Sequence, residues 1–293
     1  MLAPARRILL IFNPAAGGSR RARFDRVVTA LRAKGCALTL AETKAPRHAE
    51  ELARTASPSD FDIVAACGGD GTVNEVINGL AGKGVALGVI PLGTANVLAE
   101  EIGLDRDPER IAAALATGPI RTVHVGRANG RRFTMMAGIG FDAMVVSRVS
   151  LTLKKRVGPL AYVWESIRQS AKYGFQPHEV TIDGIPYHPV SMVACKGRRY
   201  GGPFIAAPDA CLGEDKFQVV LMHGRGWLSV LRYSLGLLLG RLTIWRDVQL
   251  VSGREVIVNG AAEHPVQADG DIVATLPLKI GLDPEPVRLV YPA

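Results

Sequence analysis

The chain has 293 residues, with 35 Lys and Arg against 27 Asp and Glu, a formal charge of +8. Hydrophobic residues make up 48% and charged residues 21%, which excludes a disordered chain. The 32 glycines follow no period and there are 4 cysteines, which excludes a collagen-like repeat and a disulfide scaffold.

At about 100–200 residues per domain, this length gives one large or two medium domains. Cys36, Cys67, Cys195 and Cys211 have neither CxxC nor zinc-like spacing and read as reduced thiols of a cytoplasmic protein. The apolar run Ile8–Phe12 is too short for a signal sequence. No uncharged stretch reaches membrane-spanning length; the nearest, Trp227 to Trp245, is interrupted by Arg232 and Arg241. The basic excess is either a solubility device or the mark of an anionic partner. It is dense in two tracts, residues 143–173 and 221–246, which interleave arginine and lysine with helical apolar residues. No nucleic-acid motif accompanies them, so an anionic membrane surface is expected rather than nucleic acid.

In chain order, Ile8–Phe12 reads as a buried strand running into a loop, Asn13-Pro14-Ala15-Ala16-Gly17-Gly18. A helix follows over residues 22–34, then a strand over Cys36–Leu40 and a helix over His48–Thr55. A third strand, Ile63–Cys67, meets Gly68-Gly69-Asp70-Gly71, and a helix is predicted from Thr72. A fourth strand, Ala86–Ile90, ends in Pro91-Leu92-Gly93-Thr94, and a helix continues through Glu101. Short apolar strands alternating with helices predict a parallel sheet covered on both faces. From about Gly118 the texture becomes β: Arg121–Arg127, Arg132–Ala137, Glu179–Ile182, Val190–Cys195, Phe217–Met222, Val248–Val251, Val256–Val258 and Ile272–Leu276, punctuated by Asp183-Gly184, Asn259-Gly260 and Asp269-Gly270. Helices over Pro159–Tyr173 and Trp227–Leu242 interrupt the series. In the second, Trp227, Leu231, Leu235, Leu238 and Leu242 form a stripe that suits core packing, the wall of a lipid channel or an interfacial helix.

The strongest local signal runs from Cys67 to Glu75, where a strand ends, glycines turn and a helix begins. Thr72 and Glu75 read as a capping box with Thr72 as N-cap. The N–H groups of that helix start, beside glycines without side chains, suit a phosphate. Asp70 is placed either to reach a phosphate-bound magnesium or its water, or to bond its own turn. Loops after the first and fourth strands carry similar small residues, the latter with Thr94 as expected N-cap. Ligands of open α/β sheets bind outside the carboxyl ends of the strands, so the three loops define one crevice. None is a Walker A motif.

Taken together, Asn13-Pro-x-x-Gly17, Gly68-Gly-Asp-Gly-Thr-Val-Asn-Glu75 and Pro91-Leu-Gly-Thr-Ala-Asn96 closely resemble the diacylglycerol kinase catalytic domain of soluble bacterial lipid kinases and of sphingosine and ceramide kinases. The resemblance continues through Tyr200–Ala210 and Asp269-Gly-Asp271 and so covers nearly the whole chain; GGDGT alone is shared with NAD kinases. It implies an ATP-binding α/β domain over residues 1–122 and a mainly β-sandwich lipid-substrate domain with inserted helices over residues 123–293, the last strand packing back towards the first domain. ATP is implied between the two, with its γ-phosphate passing to a lipid hydroxyl of diacylglycerol, a sphingoid base, ceramide or a related alcohol. The residues implied to hold ATP are Asn13, Pro14, Ala15, Ala16, Gly17, Thr43, Gly69, Asp70, Gly71, Thr72, Val73, Asn74, Glu75 and Thr94. Phosphoryl transfer needs positioning, charge neutralisation with Mg²⁺ and an acceptor for the hydroxyl proton. Asp70 and Asp271 are the implied catalytic carboxylates. Relatives carry Glu as the base, so Asp271 has a shorter reach.

A second departure follows Pro208-Asp209-Ala210, where relatives read x-Leu-Asp-Asp-Gly and hold a second magnesium. This chain reads Cys211-Leu-Gly-Glu-Asp215, so that site would be rebuilt from Glu214, Asp215 and the carbonyls of Cys211 and Lys216, or be lost. Lys196, Arg198 and Arg199 precede the Gly-Gly as either ligand-contacting cations or a solvated loop. Transient membrane association is expected, self-association into a homodimer stays open, and the competing readings are a non-catalytic nucleotide- or lipid-binding regulator and an NAD-kinase-like enzyme.

Overall fold

The structure is a computed structural model that describes residues 5–14, 18–148 and 174–292. The predicted helix Pro159–Tyr173 lies outside them. The chain divides into two units, residues 1–123 with 285–293, and residues 124–284. The first unit runs β1 (Arg7–Phe12), α1 (Gly18–Ala33), β2 (Ala37–Glu42), α2 (His48–Arg54), β3 (Ile63–Gly68), α3 (Asp70–Gly79), β4 (Ala86–Pro91), α4 (Val97–Glu101), α5 (Pro108–Thr117) and β5 (Ile120–Val123). The second runs β6 (Gly126–Ala128), β7 (Arg131–Phe133), β8 (Met136–Gly140), α6 (Phe141–Arg148), β9 (Glu179–Ile182), β10 (Ile185–Tyr187), β11 (Ser191–Cys195), β12 (Phe217–Met222), α7 (Gly226–Leu238), β13 (Val248–Gly253), β14 (Glu255–Asn259), β15 (Pro265–Ala268), β16 (Asp271–Thr275) and β17 (Leu278–Leu282). The chain then returns to the first unit as β18 (Val287–Val290).

The first unit's sheet has the order β2-β1-β3-β4-β18-β5, with β2, β1, β3 and β4 parallel. β1, β3 and β4 are apolar runs, almost wholly buried, as a sheet covered on both faces requires. Ile8, Leu10, Phe12, Ala65 and Ile90 pack against Phe24, Leu31 and Leu115 of the helices. α5 starts cleanly because the Asp107 carboxylate accepts the Glu109 and Arg110 N–H groups and Pro108 occupies the first helical position. The strand order reverses direction between β1 and β3, the switch point beside which ligands of such sheets bind.

The second unit holds two antiparallel six-stranded sheets, β10-β9-β14-β17-β6-β7 and β13-β12-β11-β8-β15-β16. Alternate residues of both, among them Val180, Ile182, Val256 and Val258 of one and Met192, Ala194, Val219 and Leu221 of the other, share one core. This is the expected β sandwich. Two-residue turns with both residues at positive φ close three hairpins, Asn129-Gly130, Asp183-Gly184 and Asp269-Gly270.

Three predicted elements differ. Arg121–Arg127 is two strands in two sheets, because Val123 pairs with Val287 while Gly126 pairs with Phe133. Arg132–Ala137 breaks where the N–H groups of Thr134, Met135 and Met136 turn to the Asp269 carboxylate. The helix from Trp227 ends at Leu238, Gly240 takes φ 62°, and Leu242–Ile244 form a separate 3₁₀ turn.

Candidate active site

The loops after β1, β3 and β4 meet through backbone. Asn13 N–H donates to the Cys67 carbonyl at 3.0 Å and Leu92 N–H to the Gly68 carbonyl at 2.9 Å, so the ladders extend past the strand ends. A methyl group on Gly93 would lie 2.5 Å from the Gly69 Cα, and one on Gly68 would lie 2.3 Å from the Thr72 hydroxyl oxygen. Only glycines allow this approach. Asn96, at φ 50°, locks the fourth-strand loop: its side chain accepts from Gly93 N–H at 2.7 Å and donates to the Gly93 carbonyl at 2.8 Å.

The helix after β3 begins one turn earlier than its capping box predicts. Gly69 is the N-cap, and its carbonyl accepts from Val73 N–H at 3.1 Å. Thr72 is buried inside the helix, where its hydroxyl accepts from the Asn13 amide at 3.2 Å. Glu75 instead accepts from the N–H groups of Arg47 (3.0 Å) and Ala49 (3.1 Å) and so caps α2. Likewise Asn96, not Thr94, is the N-cap residue of α4. The side-chain acceptor for that helix is Asp70, whose two oxygens take the N–H groups of Asn96 (3.0 Å) and Val97 (2.6 Å). Asp70 therefore ties two of the three loops together.

Among the residues expected at ATP, Asn13, Gly69, Asp70, Thr72 and Thr94 gather on these loops, and Thr43 joins them through its N–H bond to the Phe12 carbonyl at 2.8 Å. Gly71 is exposed in the first turn of α3, and Pro14 is exposed after β1. Val73 and Asn74 are packed inward, and Ala15, Ala16 and Gly17 lie outside the described residues. Sequence reasoning missed Arg20, which donates to the Thr94 hydroxyl at 3.3 Å and brings a guanidinium to the crevice. Its signal is a basic residue on the first turn after a glycine loop. First-turn N–H groups have no intrahelical acceptor, so the α3 amides and Arg20 make a donor set that fits phosphates.

In the second unit, Ala268 pairs with Asp271 across the Asp269-Gly270 turn. Asp269 is fully employed: its carboxylate accepts from Thr134 N–H (2.7 Å), Thr134 hydroxyl (3.0 Å), Met135 N–H (2.9 Å) and Met136 N–H (3.2 Å). The buried Gln267 amide takes Gly270 N–H at 3.1 Å. The hairpin is thus pinned, and Asp271, first residue of β16, is exposed on its edge.

The 211–216 turn differs from its expected form. Lys196 is 0% exposed, and its ammonium donates to the carbonyls of Cys211 (3.2 Å), Glu214 and Lys216 (3.1 Å). Three carbonyls use all three donors of an ammonium. Burial pushes the lysine pKa down to about 8, which leaves it charged at neutral pH. Glu214 pairs with the Lys216 ammonium at 3.2 Å and Asp215 with Arg254. Hence Cys211, Glu214, Asp215 and Lys216 do not fit a second magnesium: the chain supplies its own cation at the carbonyls, and both carboxylates are paired. Lys196 is neither solvated nor ligand-facing, while Arg198 is exposed.

The comparisons agree with this architecture. Residues 7–128 match the model of the diacylglycerol kinase catalytic domain, and residues 135–291 match that of the YegS C-terminal NAD kinase beta sandwich-like domain. A diacylglycerol kinase of Bacillus subtilis is 27% identical over 278 residues, 93% of this chain and 92% of that protein. The Pseudomonas aeruginosa protein named "Probable lipid kinase YegS-like" is 27% identical over 302 residues, 98% of this chain and 95% of the relative. A crystal structure of a diacylglycerol kinase from Bacillus anthracis shares the fold with a TM-score of 0.75 and 22% identity, covering 99% of this chain and 98% of that one. The chain belongs to the family of diacylglycerol and YegS-type lipid kinases, phosphotransferases whose acceptor is an alcohol. Among the described residues no helix is long and apolar enough to cross a membrane.

Proposed function

We propose that this lipid kinase transfers the γ-phosphate of ATP to the free hydroxyl of diacylglycerol, working in the cytoplasm and visiting an anionic membrane surface. The observation that carries the nucleotide half is the close stacking of Gly69 on Gly93 at the α3 N-terminus, which leaves no side chain between the loops and the first-turn N–H groups of α3, a setting that suits phosphate oxygens. Thr72, Asn13 and Thr94 line that crevice, Arg20 adds positive charge, and Asp70 holds the loops in register. Mg²⁺ bound with the nucleotide would spread the charge of the phosphate oxygens. Asp271 takes the proton of the acceptor hydroxyl; the pinned Asp269 hairpin fixes where that carboxylate stands. The acceptor is drawn from the Bacillus subtilis relative, named a diacylglycerol kinase and matched along nearly its whole length.

The test is transfer of labelled phosphate from ATP to diacylglycerol, sphingoid base, ceramide and NAD in mixed micelles with Mg²⁺. Asp271→Asn is expected to lower the rate by about 10²–10⁴, with ATP affinity unchanged, and Asp271→Glu to retain activity. ATP binding without labelling of any acceptor would replace this reading with that of a binding regulator. Labelling of NAD alone would replace it with that of an NAD-kinase-like enzyme.

A further inference from the structure

Helix α7 packs apolar side chains inward and leaves a second, larger apolar face exposed. An amphipathic helix normally turns its apolar stripe to the core. Here Ser229, Val230, Tyr233 and Gly236 are the buried positions. Gly236 has no side chain to hold off the following turn: a methyl there would lie 3.0 Å from Leu242 Cα and 3.0 Å from the Trp245 ring nitrogen. Tyr233 donates to the Asp247 carboxylate at 2.7 Å, and Arg232 donates to the same oxygen at 2.7 Å. The inner face is therefore fastened by Val230 and Tyr233 in the core, by the small Ser229 and Gly236, and by hydrogen bonds.

The outer face carries most of the large apolar residues. Of the ten exposed large hydrophobic residues among the described residues, seven lie between Trp227 and Ile244, with Trp227 at 60% and Leu239 at 64% exposure. A patch of this kind on a soluble protein marks an interaction site. Its surroundings identify the partner. Arg225, Arg241 and Arg246 are exposed at the two ends of the element, and residues 221–246 contain no Asp or Glu. Apolar side chains flanked by arginines, with an indole among them, match the boundary between acyl chains and anionic headgroups.

We propose that α7 and the 3₁₀ turn after it form the surface by which this protein docks on an anionic lipid bilayer, the apolar face entering the interface and Arg225, Arg241 and Arg246 contacting the headgroups. This rests on the lipid-kinase reading, because an insoluble acceptor must be met at a membrane.

The experiment is co-sedimentation of the full chain with phosphatidylcholine vesicles, with and without phosphatidylglycerol, at low and high salt. Wild type is expected to bind the vesicles containing phosphatidylglycerol, and salt to weaken binding. Leu231→Asp and Leu235→Asp should each reduce it by about tenfold or more, and Arg225→Ala, Arg241→Ala and Arg246→Ala by about fivefold each. All five sites are exposed, so an unchanged melting temperature and an unchanged rate on a water-soluble short-chain diacylglycerol are expected. Leucine variants that bind vesicles like wild type would overturn the proposal. So would a wild type that ignores phosphatidylglycerol, or a wild-type dimer that Leu231→Asp converts to monomer, since a second copy would then cover the face. Vesicle binding that responds to the variants as expected, with no lipid labelled, would leave the docking surface standing and remove the kinase reading alone.

Discussion

The glycine loops of the first unit and the 211–216 turn of the second are both shells of backbone dipoles, but they aim opposite ends of the peptide inwards. The first sets the first-turn N–H groups of α3 beside the closely packed Gly69 and Gly93, a shell suited to a ligand's negative charge. The second gathers carbonyls, and its positive charge comes from Lys196 of the same chain. A shell completed by a ligand can be loaded and unloaded, whereas one completed covalently cannot. The contrast separates a shell that suits an exchangeable ligand from one that is structural.

Removing the tethered cation is the most severe way to break the contrast. Lys196→Met leaves three carbonyls without their donor and should cost about 3 kcal/mol, read as a lower melting temperature. Mg²⁺ or Ca²⁺ should restore part of that loss in the variant and leave wild type unmoved; a wild type stabilised by Mg²⁺ in the absence of nucleotide would refute the assignment. Gly93→Ala attacks the other shell, pushing a methyl onto Gly69. A strain of about 1–3 kcal/mol should weaken ATP by about tenfold, measured by calorimetric titration. Arg20→Ala removes a partly exposed charge and should weaken ATP only about fivefold, less at high salt.

The smallest effect is a pH control belonging to neither shell. Burial, and then the neighbouring His264, lowers the pKa of His178 from 6.5. The unfolded chain therefore takes up this proton at a higher pH than the folded one. His178 stabilises the fold fully above pH 6.5, and that contribution declines as the pH falls below it. His178→Leu should flatten the decline in melting temperature on the acid side; an unchanged slope would show that other groups set it.

Glycine spacing and short apolar runs made the crevice legible, because close backbone approach and two-sided burial leave few alternatives in residue choice. Partnership was less legible. Thr72 and Glu75 have capping-box spacing, yet Glu75 caps α2, an element distant in sequence. Asp70 sits in a glycine turn, where local spacing gives no hint that its acceptors serve α4. Lys196 stands among Arg198 and Arg199 and looks like part of a solvated run; only the fold brings three carbonyls to its ammonium. The stripe from Trp227 was plain as a pattern, but a period of 3.6 does not say which side of the helix meets the protein.

The place of β18 has a consequence for how the protein is made. It lies between β4 and β5 in the first unit's sheet, although all of residues 124–284 separate it from β5 in the sequence. A ribosome thus releases the glycine loops long before the strand that completes their sheet. Until Val287–Val290 emerge, the edges of β4 and β5 that pair with them are without their native neighbour. Nascent chains stalled within the second unit should accordingly expose those edges to chaperones and proteases, and nucleotide-binding competence should arrive late in synthesis.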